Sequence, residues 1–227
     1  MAELEVWDAA DADEFSSSIA GDIGFIIDSA LDARRDALVA LPWKDFLAPA
    51  FEKLAEQKRD WRHVTIVPTH DRIVAVDDPA SEVAKLARLF MPKGARVMPL
   101  SGENDEYKLA GNAANARLED LGWPFDLVLL TVSDDGEVAG LCEGPDLEDG
   151  LTSPENIRAL GLADEAGSVR VSISGHTITS ARTLMFALEG DAEQSLVEGA
   201  AEGDADTPVA RLFQKVTVPV DAHVLSG

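Results

Sequence analysis

Short, continuously apolar runs alternate along the chain with stretches in which apolar residues recur every three or four positions. Ala37–Leu41 is a continuous apolar run, and Val64–Val67, Arg96–Met98, Phe125–Val132, Val169–Ile173, Leu184–Leu188 and Val216–Val220 are further strand candidates rich in apolar residues. Helical spacing covers Phe15–Ala37, where Ile23, Ile26, Ile27, Ala30 and Leu31 share one face while Asp28, Asp32 and Arg35 lie on others. Further helices are predicted over Phe46–Gln57, Ser81–Phe90, Glu106–Leu121, Asp191–Ala200 and Pro208–Phe213. Gly122 and Pro124 stop the fourth of these six helical stretches. The first 14 residues read as a frayed edge or an outer strand, and Ser133–Gly150, with four glycines, reads as a loop.

Strands that are apolar throughout, separated by amphipathic helices, imply a parallel sheet covered on both faces. The expected class is α/β: a three-layer αβα arrangement around a mainly parallel, doubly wound, Rossmann-like sheet, with residues 1–227 forming one domain. Ligands of such sheets sit beyond the carboxyl ends of the strands, which directs attention to the loops after Leu41, Val67 and Val132. No internal repeat is present, and Glu198–Thr207, acidic and glycine-containing, reads as a loop within the domain.

Charge narrows the partners. With 42 acidic against 19 basic residues the net charge is −23, so neither nucleic acid nor an anionic membrane surface is an expected partner. At 46% hydrophobic residues the chain still has the material for a core. The single cysteine, Cys142, can form no internal disulfide and reads as a small buried residue. The start Met-Ala-Glu-Leu-Glu has no signal-peptide character, and no apolar run reaches the roughly 20 residues of a membrane span, so a cytoplasmic protein is expected. Asp77 and Asp78 precede Pro79 as a turn does, and His63, His176 and His223 show no metal-ligand spacing; no metal is expected.

Several segments together carry a family resemblance. Phe125-Asp-Leu-Val-Leu-Leu-Thr-Val-Ser-Asp-Asp-Gly-Glu-Val-Ala-Gly-Leu-Cys-Glu-Gly144 resembles the 6-phosphogluconolactonase signature FDLVLLGMGxDGHTASLFPG. Val64–Val74, followed by Asp77–Ser81, is similar to that family's VxxFxGDERxVPPDxPxSN segment. Val169–Ile173, Ala181–Phe186 with Gly190, and Pro208–Leu212 with the closing Val-Pro-Val-Asp-Ala222 resemble its later stretches, in order, over roughly residues 20 to 225. The related glucosamine-6-phosphate deaminases share the fold, but the closing segment here is more like the lactonases. The resemblance implies hydrolysis of 6-phosphoglucono-1,5-lactone in the pentose phosphate pathway, with a phosphosugar as the small-molecule partner, no cofactor, and a monomer or homodimer as the working form.

Carried over residue by residue, the resemblance assigns Glu137 and Asp135 to catalysis and Lys44, Arg72, Gly136 and Arg170 to substrate binding. Glu137 stands where the family's DGHTAS segment has its general-base His, and a carboxylate can also accept a proton from water. The glycine-rich phosphate loop after the first strand is replaced by Pro42-Trp-Lys-Asp-Phe-Leu47, leaving Lys44 as a cation there. His70 stands where the family has Asp and reads as a solvent-facing or hydrogen-bonded loop residue. Glu193 replaces a frequent Lys. Asp134, Asp135 and Glu137 are expected to crowd the place of an anionic substrate, at a cost of about 2–3 kcal/mol per pair at 6 Å. Three functions therefore stay open: an active lactonase with Glu137 as base, a catalytically silent phosphosugar-binding or regulatory relative, and a sugar-processing enzyme for another substrate. The competing expectations for the cleft are a cluster of basic side chains or a plug made by Trp43 and Phe46.

Overall fold

The central apolar runs become strands because both of their faces are covered. The computed structural model describes residues 2–104, 106–203 and 206–225. In it β2 (Ala37–Leu41), β6 (Leu127–Leu130) and β9 (Leu184–Leu188) are buried at every position. Alternate side chains of these strands enter opposite cores. Val39, Leu41, Leu127 and Met185 pack with one apolar cluster, and Leu38, Ala40, Val128 and Phe186 with the other.

Around these three lie β1 (Leu4–Ala9), β3 (Val64–Pro68), β5 (Arg96–Val97) and β10 (Val220–Leu225). The seven strands form one sheet in the order β1-β10-β9-β6-β2-β3-β5, all parallel. The N-terminal segment is thus an outer strand. One face is covered by α1 (Ala12–Arg34), α2 (Ala48–Glu56) and α3 (Glu82–Phe90) through Phe15, Ile23, Phe51 and Phe90. The other face takes α4 (Tyr107–Leu118), α7 (Asp191–Glu202) and α8 (Pro208–Phe213) through Ala114, Val197 and Leu212. The three-layer αβα architecture is therefore present. Asp11 starts α1 by accepting from the N–H groups of Asp13 and Glu14, both at 2.9 Å.

Five expectations are corrected. Val169–Ile173 is a strand, but it does not belong to the parallel sheet. It is β8, the middle strand of a separate antiparallel sheet between β4 (His70–Arg72) and β7 (Ala159–Ala163). The chain leaving β3 passes straight into β4, and Ile173 donates its N–H to the Thr69 carbonyl at 3.0 Å, which fastens the small sheet to the carboxyl end of the large one. The last strand begins at Val220 rather than Val216, because Val216 still closes a turn onto Phe213. The 46–57 helix is split into a 3₁₀ turn, Asp45–Leu47, and α2. The 133–150 loop ends in a short helix, α5 (Leu147–Thr152); another, α6 (Gly175–Thr179), follows β8. Of the acidic stretch 198–207, Glu198–Glu202 continue α7, and Asp204 and Ala205 lie outside the described residues. Among the described residues no helix is long and apolar enough to cross a membrane.

Candidate active site

The site begins with a buried carboxylate. Alternation along β4 turns His70 and Arg72 to one side and Asp71 to the other. Asp71 is buried and accepts from the N–H of Arg72 (2.8 Å), the Ser81 hydroxyl (2.8 Å), and the N–H groups of Glu82 (2.8 Å) and Val83 (3.1 Å). It therefore serves as a fixed anion at the start of α3, where helix N–H groups lack partners. This clamp sets β4 against α3 and places His70, Arg72, Glu82 and Lys85 around one cleft of about 650 Å³.

The opposite wall comes from β8 and from the hairpin after β6. Arg170 is the register partner of Arg72 across the β4–β8 pair. Its guanidinium donates to Glu137 Oε1 at 2.6 Å and to Asp164 Oδ2 at 2.9 Å. The hairpin approaches so closely that a side chain at Gly140, which has φ +78°, would place Cβ 2.9 Å from His70 Cβ and 3.1 Å from Arg170 Cδ. Only glycine satisfies both the backbone angle and the gap.

Lys44, Arg72, Lys85 and Arg170 thus meet in one cleft, opposed there by Glu82 and Glu137. In a chain of net charge −23 this is a local reversal of sign. Trp43 forms part of the wall, with the Lys85 ammonium 5.9 Å from its ring centre. It does not plug the cleft. Phe46 faces a smaller neighbouring cavity of about 290 Å³ and packs on Phe15 with ring centres 6.0 Å apart.

The acidic residues expected to crowd the substrate are separated. Asp134 lines the smaller cavity together with Glu189, Glu193 and Lys44. Burial pushes the Glu193 carboxyl above its ordinary range. Asp135 is exposed and accepts from the Ser133 hydroxyl at 2.7 Å and from the Glu137 N–H at 3.2 Å, the first of which holds its carboxyl below the ordinary range. Asp135 is a brace for the turn that carries Glu137. Gly136 is likewise spent on the turn: its N–H goes to the Ser133 carbonyl at 2.8 Å, and its carbonyl accepts from Val209 at 3.0 Å. That N–H has no free direction for a substrate. Cys142 is buried, and burial pushes its thiol up to about 11, far from a nucleophilic thiolate. Asp78 caps its own turn by accepting from the Ala80 N–H at 2.7 Å.

His70 is a partly buried, hydrogen-bonded residue on the cleft wall. Nε2 lies 3.1 Å from Glu82 Oε1 and Nδ1 lies 3.2 Å from Thr69 Oγ1. Burial, with the nearby cations Lys44, Arg170 and Arg72, lowers its pKa to about 3. Glu82 and Lys85 are the charged cleft residues that sequence reasoning missed. An acidic residue in the first turn of a helix ordinarily serves the helix end, so Glu82 carried no separate signal.

Residues 10–220 match the family model of glucosamine-6-phosphate isomerases/6-phosphogluconolactonase. The fold fits that class, and the chain belongs to this family. It is 26% identical to a 6-phosphogluconolactonase of Rhizobium meliloti over 92% of this chain and 93% of that protein. It is 28% identical to one of Pseudomonas putida, over 89% and 86%. The crystal structure of a 6-phosphogluconolactonase from Shewanella baltica superposes with a TM-score of 0.85 at 21% identity, covering 100% of this chain and 98% of that one.

Proposed function

We propose that the protein opens 6-phosphoglucono-1,5-lactone to 6-phosphogluconate. The observation that carries this reading is the gathering of Lys44, Arg72, Lys85 and Arg170 with Glu137 in a single cleft beyond the strand ends. Arg72 and the two lysines supply the charge for a phosphate, with Arg72 offering a planar fork and the lysines point charges. Glu137 takes the proton of the attacking water. Arg170 holds that carboxylate through Oε1, and among the described residues Oε2 has no protein partner. The family's two named activities are separated here by the relatives: those named above carry the lactonase name.

The test is acid release from freshly prepared lactone, corrected for spontaneous opening. Turnover above that background is expected, and Glu137→Gln should lower kcat by about 100-fold or more. A rate equal to the background would overturn the reading. One feature favours the second, catalytically silent reading: the Trp43 N–H, which lies where a phosphate loop would offer donors, is given to Glu82 at 3.1 Å. In that case 6-phosphogluconate would raise the melting temperature without any turnover.

A further inference from the structure

Glu82 is a carboxyl group in the same cleft as Glu137 with no part in the steps above. Its side chain turns back beneath the loop after β2. Oε2 accepts the Trp43 N–H at 3.1 Å, and Oε1 faces His70 Nε2 at 3.1 Å. Both partners are largely buried, at 13% and 15% side-chain exposure. A neutral imidazole has one donor and one acceptor nitrogen. Assigning the donor to Nδ1, toward the buried Thr69 hydroxyl at 3.2 Å, leaves a lone pair on Nε2. With the other tautomer Nε2–H would face an ionised carboxylate; with this one the 3.1 Å contact is favourable only if Oε1 carries the proton.

The surroundings favour that state. Burial pushes Glu82 up to about 8, with the Asp71 carboxylate adding to the effect and the Trp43 N–H, Lys44 and Lys85 opposing it. Glu137, by contrast, is held in a charge-assisted pair with Arg170 at 2.6 Å. Two carboxyl groups in one cleft, one facing a guanidinium and one facing a neutral imidazole, form the division of environments that separates a base from an acid. Lactone opening needs both, because the departing ring oxygen leaves as an alkoxide unless it is protonated.

We propose that Glu82 is the general acid of this cleft, giving its proton to the ring oxygen as the lactone opens, and that His70 positions it. Water oxygen bonds to C1 while Glu137 takes the water proton, and the carbonyl electron pair moves onto the carbonyl oxygen. When the carbonyl re-forms, the bond from C1 to the ring oxygen breaks. The electron pair stays on the ring oxygen, which takes the proton of Glu82 and becomes a hydroxyl. The new carboxylic acid ionises, Glu137 releases its proton to solvent, and Glu82 regains one. One water is consumed and one proton is released.

This inference rests on the lactonase reading, and the experiment separates the two. Lactone hydrolysis is followed from pH 5.5 to 9 for the wild type, Glu82→Gln and His70→Gln, together with a ¹³C NMR titration of the side-chain carboxyls. Glutamine keeps the shape of Glu82 and an acceptor for the Trp43 N–H. Wild-type kcat is expected to fall above about pH 8, where Glu82 loses its proton. Glu82→Gln should lose about 100-fold in kcat with KM within threefold, and should lose that alkaline fall. His70→Gln should shift the alkaline fall without removing it. One glutamate carboxyl should titrate above pH 7 in the wild type and be missing from Glu82→Gln. A wild type no faster than spontaneous opening overturns the lactonase reading itself. An active wild type whose rate and alkaline fall survive in Glu82→Gln overturns the acid role alone. A wild type without any carboxyl titrating above pH 7 overturns it too, whatever the variant's activity.

Discussion

Arg72 and Arg170 stand directly opposite each other across the β4–β8 pair. Like charges at one register position are unfavourable in a sheet. Arg170 is balanced by Glu137 and Asp164, at 2.6 and 2.9 Å. Arg72 makes no ion pair among the described residues and lines the cleft. A guanidinium left unpaired beside another is suited to an anion from outside.

Arg72→Gln should raise KM for the phosphorylated lactone by about 10- to 100-fold, the scale of one charge-assisted hydrogen bond. Stability should stay within about 0.5 kcal/mol, because the side chain is exposed and removal of a like-charge neighbour offsets small losses. Steady-state kinetics with glucono-1,5-lactone serve as the control. An equal loss on that unphosphorylated substrate would show that Arg72 does not read phosphate.

Asp71→Asn should destabilise the protein by about 2–4 kcal/mol, since an amide offers one acceptor oxygen where the carboxylate oxygens take four donors. The urea midpoint should drop with an unchanged slope. Activity should fall as well, because the same clamp places Arg72 and Glu82. Full activity in a destabilised variant would separate the clamp from the cleft.

The His70–Glu82 pair sets a pH dependence of stability. His70 titrates in the folded state at about 3 instead of 6.5, so its contribution is lost as pH falls from 6.5 toward 3. Glu82 titrates at about 8 instead of 4.5, so its contribution is lost as pH rises from 4.5 toward 8. The two slopes cancel between 4.5 and 6.5. Between pH 6.5 and 8 the wild type should lose about 2 kcal/mol through Glu82. Denaturant titrations across that range should show the loss, and Glu82→Gln should remove it. An identical slope in wild type and variant would refute the assignment.

Gly161→Ala should cost about 3 kcal/mol or leave the protein unfolded, because a Cβ there would lie 1.9 Å from the Tyr107 carbonyl oxygen of α4. Gly21→Ala, on an exposed face of α1 with nothing within 4 Å, should instead stabilise by about 0.5–1 kcal/mol. Thermal melts of the two variants should move in opposite directions.

The buried strands were legible because Ala37–Leu41, Val64–Val67, Phe125–Val132 and Leu184–Leu188 are mostly apolar and too short for a buried helix. The small antiparallel sheet was not. β4 is three polar residues and β7 is Ala-Leu-Gly-Leu-Ala, so neither carries a period or a β-branched signature. β7 lies there because Gly111 and Gly161 let α4 pack against it, a long-range fit invisible in either segment alone. Of the residues lining the cleft, Glu137, Arg72 and Arg170 could be named from ordered segments, and Lys44 as the cation left in the replaced phosphate loop. Gly136 and Asp135 could not be distinguished from substrate-facing residues until their hydrogen bonds to Ser133 were seen.

The linear chain by itself determined the layer architecture, since burial of continuous apolar runs is a property of composition and spacing. It also determined the family, since motif order survives in one dimension. The tertiary structure decided where charge goes. Coulomb energy and desolvation depend on distances between residues far apart in the chain. Hence a net charge of −23 could not reveal that four cations converge in one cleft, that Arg170 neutralises Glu137, or that Glu82 packs against His70.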